Sequence, residues 1–223
     1  HIHGGELTEG LIDESIRHAI TKMSILHFTS TESYRSRIIQ MGEQPGRVFC
    51  VGALGVENIK KQPLMNKHEL EESIHLKLDK PYILVAFHPV TLEYNTVKEQ
   101  MENLLEALDG MKDYQIVFTK ANADTDGRII NCKIDEYVNN NRKRAAAFAS
   151  LGMIRYLSAL KYCDMIVGNS SSGIIEAPSF HIPTVNIGDR QRGRVRGKSV
   201  IDCGNTSKEI IKAINIAQMM NIN

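Results

Sequence analysis

The sequence predicts an α/β protein built on a doubly wound parallel sheet. Short apolar runs, typical of strands, alternate along the chain with amphipathic patterns typical of helices. The run 82–87 is continuously apolar, which indicates a strand buried on both faces of a sheet. Because strand–helix alternation places successive strands parallel to one another, we expect Rossmann-like units.

The first part of the chain predicts a short α/β segment. Its elements are a helix at 10–24, a strand at 26–29, a helix at 31–40 capped by Thr31, and a strand at 47–51. The polar stretch 55–81 changes character, and we interpret it as a linker with a peripheral helix at 66–77. A domain boundary is therefore placed near residue 60, which gives domains at 1–60 and 61–223.

The second part alternates more regularly. Its predicted strands lie at 82–87, 115–118, 164–167, 184–187 and 199–202, and its predicted helices at 97–108, 128–140, 153–161, 173–180 and 210–217. This order predicts a parallel sheet with helices on both faces.

Composition excludes several classes of protein. Twenty-seven Lys and Arg residues face 26 Asp and Glu, a net charge of +1, which does not favour a nucleic-acid partner. No apolar run approaches the ~18 residues of a membrane helix, so no membrane partner is expected. The four cysteines form no C-x-x-C pair, which predicts reduced thiols in the cytoplasm.

Polar loops follow four of the predicted strands. They begin at His88, at Thr119, at Gly168 and at Gly188. Because ligands bind beyond the carboxyl ends of the strands in open parallel sheets, we expect these loops to share one rim. His88 follows a buried strand directly, which favours a functional histidine over the alternative of a loop histidine with a structural partner.

The loop Gly168–Gly173 predicts a phosphate site. Its small residues allow a ligand to approach the backbone, and the helix that follows directs free N–H groups to the same place. The alternative is a helix N-cap with additional serines. Glu176 could accept the hydroxyls of a ribose or simply complement the helix dipole. Alternating arginines at 190, 192, 194 and 196 suit an anionic ligand, or form a solvated loop.

Titratable residues are dense near the start of the chain. Glu6, Asp13 and Glu14 could supply paired carboxylates for general acid–base chemistry, or serve as first-turn acids of a helix. His1 and His3 have the spacing of metal ligands, but no further His or Cys cluster completes a coordination shell. No metal site is therefore predicted.

These motifs together resemble the hydrolysing UDP-N-acetylglucosamine 2-epimerases of sialic acid synthesis. The resemblance rests on five motifs in the family's order: 1–6, 12–22, 88–91, 168–173 and 188–194. It implies a glycosyltransferase-B-like α/β fold with two doubly wound, Rossmann-like domains. It also implies C2 proton abstraction from UDP-N-acetylglucosamine, loss of UDP and hydration to N-acetylmannosamine, without a metal or nicotinamide cofactor. A homodimer is the expected assembly.

The resemblance also implies roles for individual residues. Asp13, Glu6 and His88 would be catalytic, and the UDP-sugar would contact the set Asn122, Ser170, Ser171, Ser172, Gly173, Glu176 and Arg190. Within this set, Asn122 would lie near the uracil, Glu176 at the ribose, and the serines and Arg190 at the diphosphate.

The chain departs from the family in two ways. His3 stands where members often carry a catalytic Glu, so Glu6 is expected to take that role. The family also has several strands before His1 and a C-terminal segment, and both are missing from the sequence. We therefore expect a fragment: residues 1–60 ending an incomplete first domain, 61–223 forming the nucleotide-binding domain, and no turnover by the fragment itself. The alternatives are a glycosyltransferase and a UDP-binding module without turnover.

Overall fold

In a computed structural model of the chain, residues 1–9, 12–90, 96–122 and 125–221 are described, with Thr125 represented by its backbone alone. The described residues form two parallel sheets surrounded by helices. Thr91, which belongs to one of the sequence motifs, lies outside the described residues, as do the loop residues Ala123 and Asp124.

The elements follow the predicted alternation. The helices are α1 (Asp13–Met23), α2 (Glu32–Gln40), α3 (Leu54–Lys61), α4 (Lys67–Ile74), α5 (Val97–Asp109), α6 (Thr125–Asn140), α7 (Gly152–Tyr162), α8 (Ser172–Ile175) and α9 (Ser207–Met219). The strands are β1 (His27–Thr29), β2 (Val48–Cys50), β3 (Tyr82–Ala86), β4 (Gln115–Thr119), β5 (Ala145–Phe148), β6 (Met165–Gly168), β7 (Thr184–Ile187) and β8 (Val200–Cys203). Short 3-10 turns occur at Pro45–Arg47 and Ala177–Phe180.

The larger sheet has six strands in the order β5-β4-β3-β6-β7-β8, and each neighbouring pair is parallel. The chain leaves β3 toward β4 and β5, and it returns through β6 to build the opposite half. The strand order therefore reverses between β3 and β6, which confirms the predicted doubly wound sheet. In such sheets the crevice at the reversal is the usual place for a ligand.

Both faces of this sheet are covered. On β3, Ile83 and Val85 pack into a core shared with α5, α6 and α9. Tyr82 and Leu84 pack on the opposite face in a core shared with α4 and α7. Because successive side chains of a strand point to opposite faces, burial on both sides requires a continuous apolar run, as the sequence predicted.

The smaller sheet pairs β1 with β2 in parallel, and Ile2 extends it through a bridge to Phe28. Helix α2 packs on this sheet through the buried side chains of Tyr34 and Ile38. The predicted cap of α2 is confirmed, since the Thr31 hydroxyl accepts a hydrogen bond from the Tyr34 backbone N–H at 3.3 Å.

The apolar face of α1 is open to solvent. Ile12, Ile16 and Met23 are 55%, 55% and 76% exposed. The predicted helix is confirmed over Asp13–Met23, but no described element covers this face. No helix among the described residues is long and apolar enough to cross a membrane.

The structure differs from the sequence prediction at two elements before β6. The predicted linker contains helix α3, so the boundary placed at residue 60 falls in the last turn of that helix. The irregular residues that follow α3 are 62–66. The division into two domains stays a prediction. Strand β5 was not predicted because its sequence is three alanines and a phenylalanine, and alanine has low strand propensity.

The helix predicted over 173–180 is also different. Helix α8 ends at Ile175, and the chain continues as a 3-10 turn over Ala177–Phe180. Pro178 lacks the N–H that a continuous helix would need at that position. The helix dipole that the sequence suggested behind the serine loop is therefore limited to a single turn.

The ends of β3 and β6 approach closely through Gly168. This residue has φ of +147°, and a Cβ atom on it would lie 2.1 Å from the carbonyl oxygen of Ala86. Any other residue would have to separate the two strands at the point where their carboxyl ends form the crevice.

We predict that Gly168→Ala lowers the free energy of unfolding by about 3 kcal/mol, because strain in the backbone and overpacking each cost about 1–3 kcal/mol. Gly46→Ala is the matched control, since a Cβ there meets nothing within 4 Å. Urea unfolding followed by circular dichroism measures both. Equal stability of the two variants would contradict the close approach of β3 and β6.

Candidate functional site

The candidate site lies in the crevice between the carboxyl ends of β3 and β6, here called the switch-point crevice. His88 follows β3 and is partly buried, and the serine segment Asn169–Ser172 follows β6. Two of the polar loops predicted to share a rim therefore meet where the strand order reverses.

Asn169 joins the two sides of the crevice. Its side-chain oxygen accepts from the backbone N–H of His88 at 2.8 Å, and its side-chain NH₂ donates to the His88 carbonyl at 2.8 Å. The backbone N–H of Asn169 donates to the carbonyl of Ala86 at 3.1 Å. Asn169 is 1% exposed, so these bonds are sheltered from water and hold the two strand ends in a fixed relation.

The serine segment presents hydroxyls at this crevice. Ser170 and Ser171 are partly exposed, and Ser172 is buried. Ser171 occupies the N-cap position of α8 without a side-chain capping bond, while Ser170 accepts from the Ser172 N–H at 3.4 Å. The alternative of a simple serine cap therefore does not account for the Ser171 hydroxyl.

Gly173 lies behind the serines against β7. A Cβ atom on it would lie 2.5 Å from Cγ2 of Thr184, and the Thr184 hydroxyl donates to the Gly173 carbonyl at 2.8 Å. Packing on the sheet thus requires a glycine at this position. The same packing holds α8 close to the strands.

The residues 188–196, here called the arginine loop, follow β7 beside the serine segment. Arg190 and Gln191 each donate to the carbonyl of Asn169, at 3.0 and 2.8 Å. Burial and the nearby charge of Arg194 lower the pKa of Arg190, and the negative charge of Asp13 opposes this effect. The structure therefore brings Asp13, at the start of α1, within electrostatic range of Arg190.

The other three arginines differ from the sequence interpretation. Arg192 pairs with Glu9 at 3.1 Å, Arg194 pairs with Glu6 at 3.0 Å, and Arg196 pairs with Asp202. Their charges are already matched by carboxylates of the chain. Arg190 differs from these three, because its guanidinium donates to the carbonyl of Asn169 in the serine segment.

The residues 3–9, here called the N-terminal strap, carry Glu6. Glu6 is 4% exposed and accepts from His3 Nδ1 at 3.2 Å as well as pairing with Arg194. Burial alone would raise the pKa of Glu6, but the His3 hydrogen bond and the charges of Arg194 and Arg17 lower it below its ordinary value. Glu6 is therefore held ionised, as a weak base.

His3 connects the strap to α3. Its Nε2 atom accepts from the backbone N–H of Leu54 at 3.4 Å, so Nδ1 carries the proton that it donates to Glu6. The residue has φ of +60°, an uncommon conformation for a side-chain-bearing residue. His3 thus acts here as a hydrogen-bonded bridge, and its two nitrogens both have partners.

Glu176 lies between α8 and α3. Its carboxylate lies against Gly55, where a Cβ atom would lie 2.1 Å from the carboxylate oxygen. Burial raises the pKa of Glu176, against the opposing effects of a Ser172 hydrogen bond and the charge of Arg194. Glu6 and Glu176 are therefore shifted in opposite directions, although both neighbour Arg194.

Asn122 is exposed at the end of the loop after β4. The preceding residue is fixed, because the Asn131 side chain accepts from the Ala121 N–H at 2.9 Å and donates to its carbonyl at 3.0 Å. Since β4 neighbours β3, Asn122 lies on the same rim as His88, one strand further out. The structure does not bring Asn122 into contact with the serine segment.

The sequence analysis does not single out two residues of the site. Asn169 lies in the predicted motif 168–173 and Gln191 in the motif 188–194, but neither is assigned a role there. Both are 1% exposed, and both are polar residues inside otherwise small or charged loops. A signal existed for Asn169, since it directly follows a buried strand, but its partners come from another strand end. Within the described ranges, no group of three or more His, Cys, Asp or Glu side chains could hold a metal ion.

Comparison with known proteins gives consistent matches along the sequence. A family model described as UDP-N-acetylglucosamine 2-epimerase matches residues 1–221. The GDP/UDP-N,N'-diacetylbacillosamine 2-epimerase (hydrolyzing) of Campylobacter jejuni is 46% identical over 202 residues, which cover 91% of this chain and 53% of that protein. Polysialic acid biosynthesis protein P7 of Escherichia coli is 48% identical over 219 residues, which cover 98% and 55%. The chain spans about half the length of these relatives.

Solved structures share the fold. UDP-GlcNAc 2-epimerase from Neisseria meningitidis bound to UDP-GlcNAc superposes with a TM-score of 0.76 at 16% identity, covering 100% of this chain and 64% of that one. The Methanocaldococcus jannaschii UDP-GlcNAc 2-epimerase in complex with UDP-GlcNAc and UDP gives a TM-score of 0.74 at 18% identity, covering 100% and 63%. These similarities confirm the expected glycosyltransferase-B-like α/β fold.

We predict a pH-dependent cost for Glu6→Gln. Near pH 7 the variant leaves Arg194 buried without its partner, which lowers the free energy of unfolding by about 3 kcal/mol. Because the folded pKa of Glu6 is lowered from 4.5, its ionised form stabilises the fold above pH 4.5. That stabilisation is lost as the pH falls through the folded pKa.

The difference between wild type and Glu6→Gln should therefore shrink in urea titrations between about pH 7 and about pH 3. Glu9→Gln is the control, because the Glu9–Arg192 pair is half-exposed and such pairs contribute less than about 1 kcal/mol. A difference that stays constant with pH would show that the Glu6 charge is not what stabilises the fold.

Proposed function

Because the chain belongs to the UDP-N-acetylglucosamine 2-epimerase family, we propose that the protein is a hydrolysing sugar-nucleotide 2-epimerase. Its proposed substrate is UDP-N-acetylglucosamine, and its products are N-acetylmannosamine and UDP. The observation that carries the proposal is the switch-point crevice, where Arg190 donates to the serine segment and the negative charge of Asp13 acts on the Arg190 guanidinium. An anion site beside a carboxylate is what an elimination of UDP requires.

The proposed reaction has two stages. A carboxylate removes the proton at C2 of the sugar, the C2 electron pair forms a C1–C2 double bond, and the bond from C1 to the UDP oxygen breaks. Water then adds its hydroxyl to C1, and a proton returns to C2 on the opposite face. The result is inversion at C2 and a free sugar.

We assign the proton abstraction to Asp13. Its side chain is exposed at the start of α1, in contrast to the buried Glu6. Glu6 is the second carboxylate of the proposed site, and its lowered pKa keeps it ionised.

The serines and Arg190 are proposed to hold the diphosphate. The hydroxyls of Ser170 and Ser171 supply donors, and Arg190 supplies the positive charge that stabilises the departing UDP. His88, whose backbone is held by Asn169, would lie at the junction of sugar and diphosphate.

Glu176 and Asn122 are proposed to bind the nucleoside. Glu176 would accept hydrogen bonds from the ribose hydroxyls. Burial raises the pKa of its carboxyl, and the ribose would supply hydrogen-bond donors to it on binding. Asn122 would reach the uracil from the adjacent strand end. No resident cofactor is proposed.

The remaining expectations on location and assembly stay proposals. All four cysteines are free, which suits the reducing cytoplasm. The homodimer expected from the family resemblance is tested by light scattering after size exclusion.

The reaction is tested by turnover of UDP-N-acetylglucosamine in deuterated water by the full-length protein. We expect free N-acetylmannosamine with one deuterium at C2, because the returning proton comes from solvent. Asp13→Asn should lower kcat by about 100-fold or more, the usual contribution of a general base. Ser15→Ala, an exposed change on the same helix, should leave kcat unchanged.

Two results would contradict this reaction: N-acetylglucosamine released with retention at C2, or a product without deuterium. The same assay should include the UDP-linked N,N'-diacetylbacillosamine, since the name of the 46% identical relative specifies that sugar. Turnover of that sugar alone would keep the mechanism and change the substrate.

The diphosphate site is tested by calorimetry with UDP. We expect Arg190→Ala to weaken UDP binding by about 10- to 100-fold, because hydrogen bonds to charged groups contribute about 1.5–3 kcal/mol. Ser171→Ala should weaken UDP binding less. Ser179→Ala, an exposed change in the 3-10 turn that follows α8, should leave UDP binding unchanged. Unchanged UDP affinity in Arg190→Ala and Ser171→Ala would remove the diphosphate from this crevice.

A further inference from the structure

The arginine loop links the two halves of the proposed site. At one end, Arg190 and Gln191 donate to the carbonyl of Asn169 in the serine segment. At the other end, Arg194 forms its ion pair with Glu6 of the N-terminal strap, with side chains only 11% and 5% exposed. One stretch of chain therefore contacts both the proposed diphosphate site and the carboxylate side.

Two further bonds fasten the loop to the first part of the chain. The backbone N–H of Val195 donates to the hydroxyl of Tyr34 on α2 at 2.9 Å. The backbone N–H of Glu9 donates to the carbonyl of Arg192 at 3.1 Å. These partners are separated by more than 150 residues in sequence, so the contacts depend on the tertiary structure alone.

Close packing reinforces these bonds. Gly193 has φ of +90°, and a Cβ atom on it would lie 2.8 Å from Cβ of Leu7 in the strap. The backbone of the loop at Gly193 therefore packs directly against the Leu7 side chain of the strap.

The strap is in turn attached to α1. Arg17 donates to the carbonyl of Glu6 at 3.1 Å and to the Thr8 hydroxyl at 3.2 Å. The Thr8 N–H donates to the carboxylate of Glu14 at 2.6 Å. Asp13 is the first residue of this helix, so the position of its carboxylate follows the position of the strap.

We propose that Arg194 and Tyr34 are positioning residues: through the arginine loop and the strap, they set the distance between Asp13 and the serine segment. The proposal rests on the proposed function, because it assigns chemistry to Asp13 and diphosphate binding to the serines. The Glu6–Arg194 ion pair ties the arginine loop to the strap at 3.0 Å, and removing one partner leaves the other charge buried and unpaired. The hydrogen bond from the Val195 N–H to the Tyr34 hydroxyl fixes a second point of the arginine loop, next to the ion pair of Arg194.

A cavity beside the pair gives the loop room to shift. It has a volume of about 150 Å³ and is lined by residues including Glu6, Tyr34, Ala53, Ile174 and Arg194. When a tether is removed, the loop can move into this space without unfolding. Because Arg190 keeps its bond to Asn169, the proposed diphosphate site should survive the change while its distance to Asp13 does not.

The test compares Tyr34→Phe and Arg194→Gln with wild type in the full-length protein. We expect kcat to fall by about tenfold or more in each variant, because misplacement by about 1 Å can reduce turnover up to about 100-fold. The dissociation constant for UDP should stay within about twofold of wild type. Arg192→Gln is the matched control, since its pair with Glu9 is half-exposed, and it should keep the wild-type kcat.

Amide hydrogen exchange supplies a readout that does not need turnover. Tyr34→Phe should raise exchange in both the strap and the arginine loop, whereas Arg192→Gln should not. Arg194→Lys keeps the charge opposite Glu6 and should recover part of the kcat lost in Arg194→Gln. Tyr34→Phe retains the packed ring, so it covers the case in which Arg194→Gln fails to fold.

The proposal is overturned if Tyr34→Phe and Arg194→Gln keep the kcat of Arg192→Gln. It is also overturned if kcat, UDP affinity and melting temperature fall together, which indicates a purely structural role. A wild-type protein that turns over no UDP-sugar refutes the proposed function instead. Amide hydrogen exchange then tests whether Tyr34 holds the strap and the arginine loop together. Faster exchange in both segments of Tyr34→Phe supports the proposal, and unchanged exchange overturns it.

Discussion

The site depends on one constraint: the carboxyl ends of β3 and β6 must stay together where the strand order reverses. Asn169 meets this constraint with two side-chain bonds to the backbone of His88, and Gly168 allows the strands to approach. Because Asn169 is buried, its amide has no competing water partners. Its own carbonyl then serves as the acceptor for Arg190 and Gln191. The crevice and the loop beside it are thus built on the same residue.

Two carboxyl groups near Arg194, those of Glu6 and Glu176, have pKa values shifted in opposite directions. Glu6 has hydrogen-bonded and charged partners that outweigh the effect of its burial, and its pKa falls. Glu176 is also buried, but its partners do not outweigh burial, and its pKa rises. One group is held as a carboxylate, while the other favours its neutral form more than an exposed glutamate does.

The proposed chemistry uses both parts of the chain. The serine segment and Arg190 belong to the six-stranded sheet, whereas Asp13 and Glu6 belong to the first 60 residues. Neither set alone could both hold UDP and remove a proton from its sugar. The buried Glu6–Arg194 ion pair and a backbone hydrogen bond between the strap and the arginine loop join the two sets.

The fold class, most of the helices and strands, and the edge of the sheet at which the polar loops lie can all be predicted from the sequence. Continuous apolar runs, helical spacing and capping residues such as Thr31 are local signals, and they are read along the chain. It did not reveal β5, whose alanines carry no strand signal, or the short α8 that ends before Pro178. Predicted roles for individual site residues, from Asp13 to Arg190, stay proposals.

The partners of the polar residues follow from the tertiary structure. The sequence slightly favours the alternating arginines as anion ligands over a solvated loop, yet Arg192 and Arg194 pair with carboxylates near the start of the chain and Arg196 pairs with Asp202 on β8. Asn169 looked like one small residue of a loop, yet it joins two strand ends. Such pairings depend on which loops the sheet order brings together. The pattern of residue types along the chain does not show how far apart two loops lie in the folded protein.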